Sequence, residues 1–288
     1  MPRSARRVSA TGSYHVVMSG NGKWRLFEDD LDHRTFLDLL AKRRVKWNVA
    51  LLSWCLMDTH VHLILSCEVD DLSKMMQSLM TAFAKYINER TGRTGHVFEE
   101  RFWSKPIESD AQLLEAIRYV HNNPASAGIC PSADYRWSSY AEYAGFSWAE
   151  CAADTSMVLE MLGGSEGFRR FCAMRERPVY NPYEGHMIPE AHLRQAVFTA
   201  LGDEDPKGLG ALERGKRDEA VRKLAKAGLT VAQISRTTGL GRWVIMSAMS
   251  HADDSQCGDA RQAPQLRGED LGCEDARDPQ GVPESCTQ

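Results

Sequence analysis

Residues 45–66, VKWNVALLSWCLMDTHVHLILS, hold two runs of β-forming residues on either side of Asp58-Thr59. The first run, Val45 to Met57, reads as a long strand. The second, His60 to Ser66, reads as its hairpin partner, because Asp and Thr at the break favour a turn over continued extension. Side chains on a strand alternate between faces, so Val61, Leu63 and Leu65 share the core side while His60 and His62 share the other. Two imidazoles two residues apart on one face can hold a single metal ion and leave its remaining positions open. Such a pair also occurs as ordinary hydrogen-bonded side chains, so its meaning depends on what the rest of the chain brings to it.

Working outward, Ser13 to Gly20 (SYHVVMSG) reads as a first strand, followed by a loop, and Asp30 to Lys42 as a helix with Leu31, Phe36, Leu37, Leu39 and Leu40 near one face. On the other side, Leu72 to Arg90 repeats apolar residues at helical steps and ends near Gly92. Phe102 to Ile107 is a short strand, and Asp110 to Asn122 a helix with Asp110 as N-cap, a buried stripe of Leu113, Leu114, Ile117 and Val120, and Pro124 to end it. The order β-α-β-β-α-β-α predicts an α+β, ferredoxin-like antiparallel sheet with helices packed on one face. The expected division is a domain over 10–145, a helical extension and linker over 146–200, a helical region over 201–250, and a disordered acidic tail over 251–288. Within 146–200 the prolines and glycines from Arg177 to Pro189 mark the linker. In the third part, Val231 to Thr237, Gly239 and Arg242 to Met249 fit a helix-turn-helix.

The formal net charge of the 288 residues is -4, but the last 38 carry nine acidic and three basic residues, a net of -6, which leaves +2 for residues 1–250. A mildly basic body is therefore masked by its tail. The eight cysteines are scattered without a CxxC pair, so neither a zinc ribbon nor a disulfide framework is indicated, and they read as reduced thiols. No apolar run has the length of a membrane span or a signal peptide, and a cytoplasmic location is expected.

A second segment gives the histidine pair its weight: Tyr119-Val120-His121-Asn122-Asn123-Pro124. Tyr119 and Asn123 are four apart and share a helical face, so an amide oxygen and a phenol can face one ion and its bound phosphate. Proline disfavours α conformation in the residue before it, which puts the negative end of the helix near Asn123, where a cation is favoured. A phenol with a reference pKa of about 10 needs a cation or base to act as a nucleophile at neutral pH. Taken singly, Tyr119 is also a common amphipathic helix residue and Asn123 a common helix-ending one. Together with His60 and His62 they suggest a metal-assisted tyrosine nucleophile.

Four blocks, SWCLMDTHVHLILS, YINERTGRTGHVFEERFWSKPI, AIRYVHNNPASAGI and YRWSSY, resemble in content and order the REP-associated tyrosine transposases, a branch of the single-tyrosine HUH nucleases. The resemblance covers roughly residues 10–145. It implies that His60 and His62 are the metal-binding pair, Asn123 an additional ligand and Tyr119 the nucleophile. It implies Mg²⁺ or Mn²⁺ as the ion, a choice that also suits phosphate and amide oxygens. The implied reaction is attack on single-stranded DNA bearing a hairpin, through a 5′-phosphotyrosine link.

Arg90, Arg93, His96, Arg101 and Lys105, with Phe102 and Trp103, offer phosphate contacts and stacking surface for DNA, or else form a solvated basic loop. Ser19-Gly20-Asn21-Gly22 departs from the family in lacking a basic residue before its Gly-Asn pair. Arg242 and Trp243 in the second helix of the helix-turn-helix would face duplex DNA, unless that region is a bundle packed on the catalytic domain. The expected partner is therefore DNA, not a membrane, with the chain as a monomer or homodimer. The rival readings are a sequence-specific DNA-binding regulator with an inactive transposase domain, and a phosphodiesterase using metal-activated water.

Overall fold

The computed structural model describes residues 6–146, 152–174, 180–183, 188, 192–202 and 204–250. The expected acidic tail and parts of the expected linker lie outside the described residues. Strands β1 (Ser13–Ser19), β2 (Ala50–Met57), β3 (His60–Ser66) and β4 (Trp103–Ile107) form one four-stranded antiparallel sheet in the order β2-β3-β1-β4. Helix α1 (Asp30–Lys46) connects β1 to β2, α2 (Val69–Thr91) connects β3 to β4, and α3 (Asp110–His121) follows β4. This is the expected ferredoxin-like order.

Alternation along the strands builds two different layers. On one face Val16, Trp54, Val61, Leu63 and Leu65 meet Phe36, Leu37 and Leu40 of α1 and Met75, Met76, Leu79 and Phe83 of α2 in a dry core. The opposite face is covered as well. There Leu52, Cys55, Ile64 and Ile107 pack against Ile117 and Val120 of α3, and against Val158 and Phe168 from two later helices.

Some boundaries that bear on the site and its edge differ from the sequence reading. Val45 and Lys46 belong to the last turn of α1, not to a strand, and Val45 points to solvent; the chain reverses at Asn48 (φ 49°), a residue type that tolerates left-handed backbone, before β2 starts. Ser109, not Asp110, caps α3, its Oγ accepting from the Gln112 N–H at 3.2 Å. α3 ends at His121, and Pro124 stands in the first turn of a short new helix, α4 (Asn123–Ser126), where its missing N–H costs nothing.

The YRWSSY block protects the sheet edge. Leu56 N–H donates to the Trp137 carbonyl (2.8 Å) and Ser139 N–H to the Trp54 carbonyl (3.0 Å), so the outer side of β2 is paired rather than open. Ser139 Oγ also accepts from the Trp54 N–H (3.0 Å) and lies 2.8 Å from His121 Nε2, tying the end of α3 to the same edge.

The chain continues through α5 (Tyr140–Tyr143), α6 (Ser156–Leu162) and α7 (Ser165–Cys172), the last two where short helices are expected. Helices α8 (Leu193–Leu201), α9 (Arg214–Lys226), α10 (Val231–Thr238) and α11 (Arg242–Ser250) then bury Leu201, Val221, Leu224, Ile234 and Ile245 in a third core. Tyr183 and Ile188, from the segment read as a linker, are buried in that core, and Trp103 of β4 packs against it. A Thr230/Gln233 capping box starts α10 and Gly239 (φ 75°) ends it, so both helices and their turn lie where the sequence places them. Among the described residues no helix is long and apolar enough to cross a membrane.

Candidate active site

The register fixes which side chains gather on the histidine face. His60 pairs across β1 with Ser19, His62 with Val17 and Ile64 with His15. Directly paired residues point to the same side, so β1 adds His15 and Ser19 to the face that carries His60 and His62. Helix α3 crosses that face. The Tyr119 ring stands edge-on to His62 with centroids 5.7 Å apart and to His15 at 5.8 Å. Asn123 Nδ2 donates to the Tyr119 carbonyl at 3.2 Å, and the Asn123 side chain raises the pKa of both His60 and His62 against the larger lowering by burial. The four residues singled out in the sequence therefore come together.

Four further residues complete the cluster. His15 Nε2 lies 2.9 Å from His62 Nδ1, and His15 Nδ1 lies 3.1 Å from the Tyr180 hydroxyl. His192 Nε2 lies 2.9 Å from Ser19 Oγ, and its ring is 4.1 Å from that of His60 and 5.4 Å from that of His62. Tyr183 packs on His192 with ring centroids 5.3 Å apart. His15 was legible as a polar residue sharing strand parity with Val17. Tyr180, Tyr183 and His192 sit in or beside a Pro- and Gly-rich stretch that reads as a connector, and only its density of tyrosines and histidines marks it as more.

Burial sets the electrostatics. It lowers the pKa of His60 to about 4, against the opposing pull of Asn123 and Asp58, and that of His15 to about 3 with help from Lys105. His62 and His192 are lowered well below the ordinary imidazole value, first by burial and then by neighbouring imidazoles. All four are neutral near pH 7, the state in which imidazole ligates a metal. Each of three rings has one nitrogen held by a neighbour: His60 Nδ1 by Thr59 Oγ1 (3.1 Å), His62 Nδ1 by His15 and His192 Nε2 by Ser19. The other nitrogens, His60 Nε2, His62 Nε2 and His192 Nδ1, are buried without a partner, the pattern of metal-ligating imidazoles whose far nitrogen is held by a neighbour. One nitrogen from each of these rings lies within 4.8 Å of the others. The residues thus fit a divalent ion. Burial also raises the Tyr119 pKa, which keeps the phenol protonated.

The residues read from sequence as contacts to DNA divide into two groups. Arg93, His96 and Arg101 are exposed, and the Arg93 guanidinium stacks 3.0 Å over the Trp24 ring. Arg242 is exposed on α11 beside Trp243. The remainder are engaged internally: Arg90 pairs with Asp29 and Asp32, Phe102 is a core residue beneath the Arg6 guanidinium, Trp103 Nε1 donates to the Pro182 carbonyl (3.1 Å), and Lys105 Nζ to the Asn181 carbonyl (2.5 Å). The segment 180–183 takes the contacts that the sequence reading assigns to a strand of DNA. Gly20 has a structural reason: a Cβ there would meet the Trp24 carbonyl oxygen at 2.4 Å, and its N–H donates to Thr59 (2.8 Å) directly beside His60.

Residues 9–123 match the family described as IS200-like transposases. One solved structure, titled as a REP-associated tyrosine transposase bound to a REP hairpin, is similar at 18% identity over 54% of this chain and 93% of that one, with a TM-score of 0.43. No curated protein matches the chain at a significant level.

Proposed function

We propose that the chain nicks and rejoins single-stranded, hairpin-bearing DNA in transposition, with Tyr119 as nucleophile and His60, His62 and Asn123 holding Mg²⁺ or Mn²⁺. The observation that carries this reading is the convergence of the Tyr119 ring on two imidazoles whose bare nitrogens face the same space. The bound ion would neutralise charge on the phosphate as the phosphorus is attacked. Tyr119 Oη forms the new bond to phosphorus and loses its proton, and the bond from phosphorus to the 3′ oxygen breaks. The products are a 5′-phosphotyrosine and a 3′-hydroxyl, and attack by a 3′-hydroxyl reverses the step. Bond energy is conserved, so no nucleotide cofactor is consumed. His15 acts as a positioning residue through His62 Nδ1, and Asn123, tied to the Tyr119 carbonyl, keeps ligand and nucleophile in one register. Arg93, His96 and Arg101 would meet phosphates and Trp24 a base.

The test is to incubate the chain with labelled single strands carrying hairpins in Mg²⁺ or Mn²⁺ and look for a band that survives denaturation. Tyr119→Phe removes it under this reading. Cleavage retained by that variant would instead support metal-activated water. The rival of a duplex-binding regulator draws on Arg242 and on Trp243, which is 80% exposed on α11. Tight duplex binding with no adduct on any strand would favour it.

A further inference from the structure

His192 comes from outside the segment that matches the transposase family, yet it reaches the same space as the histidine pair. Its orientation is set by Ser19, a residue of the sheet itself, which holds Nε2 and leaves Nδ1 bare and buried. Tyr183 packs against its ring, and Leu193 begins the helix that anchors it in the third core. Leaving such a nitrogen buried and unpaired is costly unless something fills the space it faces. The three imidazole nitrogens bound one space, and Asn123, the ligand proposed above, would bring the donors to four.

Four neutral donors of this kind satisfy a tetrahedral ion and leave no position for a substrate, whereas a catalytic site keeps one open. A set rich in imidazole also selects a borderline transition ion over Mg²⁺, which prefers oxygen donors and six-fold coordination. We propose that His192 is a third imidazole ligand in the closed chain, completing a site for a transition ion such as Zn²⁺ or Co²⁺, and that DNA phosphate takes its position when it enters. Tyr180 covers the nucleophile: its ring lies 5.8 Å from that of Tyr119, which is 3% exposed. Entry of DNA therefore requires the Tyr180 and His192 side chains to move, and a bound transition ion would hold His192 in place.

This inference rests on the reading of His60 and His62 as ligands, and the test separates the two. The full metal-free chain is titrated with Co²⁺ alone, recording the visible spectrum and the affinity by calorimetry, with Mg²⁺ in parallel. The expected result is an intense tetrahedral Co²⁺ spectrum, with binding at least about 10-fold weaker and six-coordinate in colour for His192→Ala. His192→Asn, which keeps a polar group beside Ser19, is run alongside, and circular dichroism reports whether each variant is folded. If His62→Ala abolishes binding while folded His192→Ala or His192→Asn retains wild-type affinity and spectrum, the role of His192 is overturned and the pair stands. If His62→Ala changes nothing, the metal reading of the pair falls too. A wild-type chain with a six-coordinate Co²⁺ spectrum would also overturn the proposal.

Discussion

Val61, Leu63 and Leu65 on one side of β3, and His60 and His62 on the other, are separated by the thickness of a single strand. The first face is closed by the two helices nearest in sequence, and its core is apolar except for Asp32 and His33 at the start of α1. The second is closed partly by α3 and partly by residues from beyond position 180, and it buries His15, His60, His62, His192 and Asn123. Burial on the first face stabilises the fold directly through apolar transfer. On the second it forces imidazoles to stay neutral and leaves three ring nitrogens unpaired, a cost that the proposed ion would offset. The contrast separates what holds the molecule together from what equips it to react.

Substitutions on the two faces should therefore fail in different assays. The largest effect is expected for Tyr119→Phe, which removes one oxygen from the polar face: adduct formation drops by at least about 10³-fold, while thermal stability holds or rises, since the hydroxyl is buried with its pKa raised. Gel analysis and a melting curve on the same preparation check both halves. Next comes Leu63→Ala on the dry face, which leaves a cavity under α1 and α2 and costs about 2–5 kcal/mol in urea unfolding. Metal affinity of its folded fraction should stay unchanged, and a loss there comparable to that of His62→Ala would erase the distinction between the faces.

Acid provides a graded test of the polar face. His15 and His121 have folded pKa values of about 3 and His60 of about 4, all depressed by burial below the ordinary value of about 6.5. As pH falls the unfolded chain takes up protons first, so stability is complete above about 6.5 and is lost progressively toward pH 4, by up to about 1.4 kcal/mol per pH unit for each such histidine. Melting temperatures recorded from pH 7.5 to 4.5 should follow this slope, and a flat profile would mean that these imidazoles are not buried neutral. The smallest effect is expected at Ser139→Ala, which leaves the Trp54 N–H and His121 Nε2 with weaker partners at the sheet edge, about 1–2 kcal/mol by denaturant unfolding with metal binding intact.

Legibility in the sequence followed the same division. The dry face was readable because strand alternation and helical repeats are local: Leu63 and Leu65 on β3, and Met75, Met76, Leu79 and Phe83 on α2, announce their side by spacing alone. The part of the polar face built from β3 and α3 was also readable, since His60, His62, Tyr119 and Asn123 lie in short patterned segments. What closes that face was not. Proline and glycine around Tyr180 to Ile188 signal a connector, and nothing in local spacing says that Tyr180 will reach His15, or His192 will reach Ser19, across more than 160 residues of chain. The same long-range docking explains why Trp103 and Lys105, whose composition suggests a surface for DNA, are bound to backbone carbonyls of residues 181 and 182. Val45 misled for a simpler reason. β-branched residues suit strands, but here the helix runs one turn further and exposes it.

Tyr119 is the residue proposed to join to DNA, and two other tyrosines, Tyr180 and Tyr183, are buried nearby. Mapping the adduct decides among them: the covalent complex formed with hairpin-bearing single-stranded DNA is digested with nuclease and protease, and the modified peptide is sequenced by tandem mass spectrometry. A 5′-phosphonucleotide on Tyr119 is expected. A nucleotide on Tyr180 or Tyr183, or cleavage that leaves no modified tyrosine, would contradict it.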